Sequence, residues 1–195
     1  MRNLKFLVLT LGLALTVAAC GAPPKADLDA AKAALDSAVA AGAAEYAAPA
    51  MKAIEDAQSA LDAELKAQDG NWLKSYTKAK ELAAAVKTAG EKAAADAAAG
   101  KELAKNDATA AIGDAKTLLT DAQALLDKAP KGKGTAADIE AMKTDLVTAG
   151  TAITEAETAL AAGKFLDAKA KAESARTTAN TVKTAVEAAM AAKKR

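Results

Sequence analysis

The chain has no histidine, a single cysteine and four prolines, and aromatic side chains make up only 3% of its 195 residues. Each shortage closes off a class of function. Without histidine the commonest general base and the commonest metal ligand are missing. One cysteine rules out an intrachain disulfide and a zinc cluster built on cysteines. Formal net charge is +1 and no basic block exceeds three residues, so bulk charge does not draw the chain to nucleic acid. Ser37, Ser59, Ser75 and Ser174 lie within helical patterns and outside any G-x-S-x-G setting. The stretch KGKGT at 131–135 lacks the spacing of a phosphate-binding loop and reads as a flexible basic loop. Carboxylates such as Asp56, Glu64 and Glu155 are expected to solvate helix faces or pair with lysines one turn away. A catalytic acid needs a dry pocket to shift its pKa, and helices packed through small residues leave little cavity. The composition therefore predicts a non-enzyme with no cofactor and no metal. Long apolar runs are also missing. The longest, residues 6–17, has twelve residues, against roughly 20 for a membrane-spanning helix.

That short run has a different use. Arg2 and Lys5 precede it, and the small residues Ala18 and Ala19 lead from it to Cys20. A basic start, a short apolar stretch and small residues form the pattern of a secretory signal. With its cysteine, Val17-Ala18-Ala19-Cys20 resembles the lipobox of bacterial lipoproteins. The resemblance implies that residues 1–19 are removed as a signal peptide and that the Cys20 thiol and new amino terminus are acylated. Several acyl chains give stable membrane anchoring where one gives only reversible binding. Gly21 and Ala22 resemble the outer-membrane sort, because lipoproteins held at the inner membrane often carry Asp after the cysteine. The expected location is the bacterial envelope, lipid-anchored at the outer membrane and facing the periplasm. Loss of Arg2 and Lys5 leaves the remainder slightly acidic.

Beyond Cys20 the chain is rich in one residue. Alanine makes up nearly a third of the sequence. It is the best helix former, since it loses no side-chain entropy, and a poor core filler, since it buries one methyl group. The prediction is an all-α protein of elongated antiparallel helical hairpins, an Ala-rich bundle of coiled-coil type. Residues 20–26, with Pro23 and Pro24, read as a lipidated tether. Residues 27–128 read as an N-terminal helical hairpin with a long helix, 129–135 as a loop, and 136–195 as a C-terminal helical hairpin. Within these, helices are expected at about 28–41, capped by Asp27 and stopped by Gly42, and at about 47–67, with Pro49 in the first turn. Asp69-Gly70 reads as a turn, with Asn71 capping a helical pattern from Trp72 to about Leu126. In that pattern Leu73, Tyr76, Ala79, Ala83, Val86, Ala93, Ala97, Ala104, Ala108, Ala111, Ala115, Leu118, Ala122 and Leu125 form one stripe. A single helix over 72–128 is one reading, and a hinge near Gly100 or Asn106 the other. Thr135 and Asp138 form a capping-box-like pair before a helix of about 136–161, which ends at Gly163; a last helix covers about 165–192.

The chain also echoes itself. A53-I-E-D-A-Q-S-A-L-D-A63 matches A152-I-T-E-A-E-T-A-L-A-A162, and each copy precedes a glycine turn and an aromatic-Leu pair, Trp72-Leu73 and Phe165-Leu166. A helical hairpin used twice is the expected unit. Trp72 and Phe165 are expected to close the hairpin ends by covering the place where two Ala-lined helices splay. Tyr46-Ala-Ala-Pro49 and the A-x-x-A pattern, followed by a turn and Trp72, resemble a domain of bacterial lipoproteins without established activity, over residues 30–95. Cys20, the Ala-rich helices and the basic end resemble, more loosely, the murein lipoproteins. In that family a terminal lysine is joined to peptidoglycan; here Arg195 is last.

Function is accordingly expected to be structural: a lipid-anchored envelope scaffold, with the membrane, and peptidoglycan or envelope proteins, as partners. Homo-oligomer formation is open. The alternative is a module binding a small ligand or glycan in a groove near Trp72, Tyr76 or Phe165. Lys193, Lys194 and Arg195 have two readings: cations complementing the negative end of the last helix dipole, or a contact with the wall or another anionic surface.

Overall fold

The structure, a computed structural model, describes residues 22–129 and 136–193. The expected signal peptide, Cys20, the loop residues 130–135 with Thr135, and Lys194 and Arg195 lie outside the described residues. Those described form six α-helices and no strand: α1 Lys25–Ala40, α2 Ala43–Tyr46, α3 Ala48–Asp69, α4 Thr77–Asp127, α5 Ala136–Ala161 and α6 Phe165–Lys193. The all-α bundle is what the alanine content and the three-and-four apolar spacing dictate.

Local chemistry explains the ends. α1 starts earlier than the sequence suggests, because Pro24 rather than Asp27 takes the N-cap place. The Pro24 carbonyl accepts the Asp27 and Leu28 amides at 3.0 Å each. Asp27 lies inside the first turn, where its charge suits the positive end of the helix dipole. α1 stops at Gly42, whose φ of 84° is left-handed. Pro49 sits in the first turn of α3, where its missing amide costs nothing. α5 ends at Gly163, φ 74°. There the Lys164 amide reaches the Ala159 carbonyl at 2.9 Å and the Gly163 amide the Leu160 carbonyl at 3.0 Å, a Schellman ending. α4 is continuous through Gly100 and Asn106, so neither position is a break in the helix.

The chain divides into two compact units, one up to Ala95 and the other from Asp96. The division falls inside α4, not at the 129–135 loop, because the second part of α4 packs with α5 and α6. In the first unit α1 contributes Ala31, Ala34 and Ala38 to the interior, α3 Met51, Ile54 and Leu61, and α4 Ala79, Ala83, Val86 and Ala93. α3 and α4 form a hairpin whose adjoining ends are bridged by Glu64 and Lys78, 3.4 Å apart. In the second unit three layers show the course of the helices. Ala108 meets Ala159 and Ala168. Ile112 and Ala115 meet Ala149, Ile153 and Ala156, with Ala172 and Ala175. Ala122 and Leu126 meet Leu146, with Ala179, Val182 and Val186. Numbers rise together along α4 and α6 and fall along α5, so α5 is antiparallel to both.

Two details depart from the expected stripe. Leu73 is not part of it and is 79% exposed. Beyond Ala108 the buried positions are Ile112, Ala115, Ala122 and Leu126, one residue on from the expected Ala111 and Leu125. Ala104, Ala108 and Ile112 make two successive steps of four, a stutter that moves the apolar face by one position. Apolar residues occupy both registers here, and burial selects the one that covers the larger Ile112.

Gly90 is part of the stripe rather than a flaw in it. It is buried, and a Cβ at this place would lie 2.8 Å from the carbonyl carbon and 2.9 Å from the Cβ of Ala34. α1 and α4 therefore approach here backbone to backbone. Gly113, on the same helix, has no neighbour within 4 Å of an added Cβ. The two glycines should respond to alanine with opposite signs. Gly90→Ala is expected to destabilise by about 1–3 kcal/mol through overpacking. Gly113→Ala is expected to stabilise by up to about 1 kcal/mol through helix propensity. Urea unfolding followed by circular dichroism separates them.

Candidate functional site

The matched segments 53–63 and 152–162 occupy equivalent places, in the middle helix of each unit. Ile54 and Ile153 are both buried, at 0% and 4% exposure. Leu61 is buried and Leu160 half-buried. The succeeding helices match as well, but from Tyr76 and not from Trp72. Tyr76, Ala79, Ala83, Val86, Gly90, Ala93 and Ala97 repeat the spacing of Phe165, Ala168, Ala172, Ala175, Ala179, Val182 and Val186 step for step, in threes and fours. All are buried except Phe165, which is half-buried against Ala108, Ala159 and Ala168.

This corrects the role expected of Trp72. Trp72 is 93% exposed and closes no hairpin. Tyr76, 8% exposed, holds the place that corresponds to Phe165. The reason is an insertion. Tyr76 follows Leu61 by 15 residues and Phe165 follows Leu160 by five, so the first corner carries ten extra residues. They extend α3 to Asp69 and form the loop 70–76, which lifts Trp72 and Leu73 off the core. Asn71 does not cap α4, which begins at Thr77 with the Tyr76 carbonyl accepting the Lys80 amide at 2.9 Å.

Gln68, which no motif or spacing singles out, organises this corner. Its Nε2 donates to Glu64 at 2.8 Å. Its Oε1 accepts the Ser75 amide at 3.0 Å and, more weakly, the Asn71 side-chain amide at 3.4 Å. The Gln68 hydrogen bond, helped by Lys78, holds the Glu64 carboxyl below the usual glutamate range. Lys74 and Asp69 face each other at 3.7 Å. The only sequence signal for this arrangement is the length difference between the two corners.

The remaining candidates are dispersed. Asp56 pairs with Lys52 at 3.0 Å on α3. Glu155 pairs with Lys171 at 2.7 Å, joining α5 to α6. Asp107 with Lys169 at 2.8 Å joins α4 to α6, and Glu157 with Lys116 joins α4 to α5. Each helix pair of the second unit thus carries an ion pair at its surface. Burial pushes the Asp62 carboxyl up. Among the described residues no three His, Cys, Asp or Glu side chains gather as a metal site. An open groove of about 400 Å³ runs along α5 and α6 past Thr151, Thr154, Thr158, Lys164, Asp167 and Lys171. Its three threonine hydroxyls donate to carbonyls one turn back, at 2.9–3.1 Å, and Lys171 is engaged by Glu155. The groove offers a ligand little that is not already committed to the fold. Lys193 ends α6, and its side chain lies outside the described residues.

Two measurements check these assignments. Tyr76→Ala should destabilise by about 3–5 kcal/mol, as large-to-small aromatic changes in a core do. Trp72→Ala should stay within about 0.5 kcal/mol, as exposed changes do. Equal effects in urea unfolding would mean that Tyr76 does not close the corner. The second is a pH series. Hydrogen bonds to Asp107 and Glu155 raise the pKa values of Lys169 and Lys171 above their ordinary 10.5. Their stabilisation is complete below that ordinary value and is lost as pH rises through the raised ones. Thermal melts should show the wild type losing stability above pH 10.5, and the Lys169→Gln/Lys171→Gln double variant losing less over the same window.

No protein-family model, no curated protein and no solved structure matches this chain. Its functional reading rests on its residues and their geometry.

Proposed function

We propose that the protein is a lipid-anchored bacterial envelope lipoprotein that serves as a non-catalytic scaffold. Its anchoring rests on the Val17-Ala18-Ala19-Cys20 sequence and the short apolar run before it. Among the described residues no helix is long and apolar enough to cross a membrane, so a lipid on Cys20 supplies the anchor in this reading. The scaffold role is supported above all by the repeated packing unit. The same spacing of buried positions closes a three-helix unit twice, over Tyr76 to Ala93 in the first and Phe165 to Val182 in the second, and titratable side chains around it pair across helix surfaces. Such a chain presents faces to partners while its interior does nothing but hold the helices together. The ligand-groove alternative loses two of its three residues to this packing, since Tyr76 is buried and Phe165 lies against an alanine layer.

Membrane fractionation tests the anchor. Wild-type protein should stay with membranes through a high-salt wash, and Cys20→Ser should move to the soluble fraction. Retention of Cys20→Ser in the washed membranes sinks the lipoprotein reading.

A further inference from the structure

The two corners of this molecule make an internal comparison. In the second unit Ala162, Gly163 and Lys164 suffice to join α5 to α6, with Phe165 packed inward. In the first unit the stretch from the matched leucine to the inward ring is ten residues longer, which lengthens α3 and leaves the loop 70–76 before α4, although Tyr76 already supplies the inward ring. The fold does not need the insertion, yet the insertion is built. Gln68 ties Ser75 and Asn71 back to the end of α3, so the loop is held out and not collapsed. At its tip Trp72 is 93% and Leu73 79% exposed, the two most exposed large apolar side chains described. Leaving such neighbours in water forgoes burial worth about 1.5–3 kcal/mol for a large apolar side chain.

We propose that the Trp72–Leu73 tip seats in the interfacial layer of a lipid bilayer. This rests on the reading of the protein as membrane-anchored and adds a second, protein-borne contact. Three observations favour a bilayer over other occupants. The tip is two neighbouring side chains almost wholly in solvent, and a bilayer accepts them without a matching groove. Trp with an aliphatic neighbour and lysines around them is the side-chain set that settles at the headgroup level, rings inward and ammonium groups in water. Lys66, Lys74, Lys78 and Lys80 are the cations of this stretch; Lys74 and Lys78 pair with Asp69 and Glu64, and Lys66 and Lys80 have no carboxylate partner among the described residues. A second copy is disfavoured by area. One aromatic contributes about 150–250 Å², and with a leucine the tip stays well short of the roughly 800 Å² per partner of a stable interface. A glycan is disfavoured because the polar groups beside the ring, Gln68, Asn71 and the Ser75 amide, are bonded to one another.

Trp72 is the only tryptophan, so its fluorescence reports the tip alone. The full chain, reconstituted in phosphatidylethanolamine and phosphatidylglycerol vesicles, should show blue-shifted emission quenched by lipids brominated on the upper acyl chain. Leu73→Ser should weaken the quenching. A Trp72→Ser/Leu166→Trp variant, which moves the probe to the short corner, should lose it. Water-like emission without bromine quenching overturns the proposal. So does equal quenching at the two corners, a blue shift that depends on protein concentration without bromine quenching (a second copy), or a shift produced only by glycan fragments. The readout is separate from fractionation. Retention in membranes with no quenching at Trp72 removes this contact and leaves the Cys20 anchor; bromine quenching at Trp72 in a Cys20→Ser protein that stays with washed membranes keeps this contact and removes the Cys20 anchor.

Discussion

Everything described in this structure depends on how closely alanine and glycine let helices approach. Among the described residues no polar residue is wholly buried, though half-buried Gln58 hides its Oε1 without a hydrogen-bond partner, and the largest wholly buried side chains are Ile54, Val182 and Val186. Most other buried positions are alanines, each hiding a single methyl group. Such a core gains little from transfer out of water per residue, about 0.8 kcal/mol per methylene-sized group. It gains in two other ways. Alanine loses no rotamer freedom on burial, where leucine loses about 0.5–1 kcal/mol. Backbones that come close also make many dispersion contacts. At Gly90 and Ala34 the approach reaches its limit, with room for a hydrogen and none for a methyl. The second unit grades from this regime to an ordinary one, with alanines near Gly163 and leucine, valine and isoleucine at the opposite end.

This constraint explains what could be read from the residues and what could not. The helices were legible because alanine propensity, the apolar period and the glycine stops at Gly42 and Gly163 agree. The ends of α5 and α6 follow from Gly163 alone. Register was less legible. Where alanines fill several faces, the stripe through Ala111, Leu118 and Leu125 is as apolar as the one that is buried, and only the packing of Ile112 and Leu126 decides. Gly90 misleads for the same reason. In sequence it reads as a weak helix position, whereas its lack of a side chain is what seats α1 against α4. The limit between the units was hidden too, because α4 carries one uninterrupted pattern across Ala95 and Asp96 and no loop residue marks the change of partners.

The candidate site was half legible. The echo between 53–63 and 152–162 is visible in the letters, and both copies lie in equivalent helices. The pairing of Trp72 with Phe165 was the natural extension, since each is an aromatic followed by leucine. It fails because a sequence match carries no information on which aromatic faces inward. The spacing beyond it does: counting back in threes and fours from Ala79 reaches Tyr76, and from Ala168 reaches Phe165. A further step of four would reach Trp72, which is left out because α4 begins only at Thr77. The carboxylates were legible as a class, and the pair of Asp56 with Lys52 follows from one-turn spacing. The long-range pairs of Asp107, Glu155 and Glu157 with lysines on other helices depend on the fold and had no signature in the chain.

A repeated unit with one altered corner separates folding from function within a single molecule. Both units face the same packing problem and answer it with the same six positions, Tyr76 to Ala93 and Phe165 to Val182, so what they share is explained by stability. What differs has no such explanation. Gln68 makes the difference firm. A glutamine that accepts two amide donors and donates to a carboxylate orders the loop at the cost of side-chain entropy, about 1.5–2 kcal/mol for such a residue. A loop whose only duty was to connect two helices would need no such ordering, as Ala162, Gly163 and Lys164 demonstrate. The ordered corner and its uncovered tryptophan are linked in the chain: Gln68 holds Asn71 and Ser75, on either side of Trp72 and Leu73, to the end of α3.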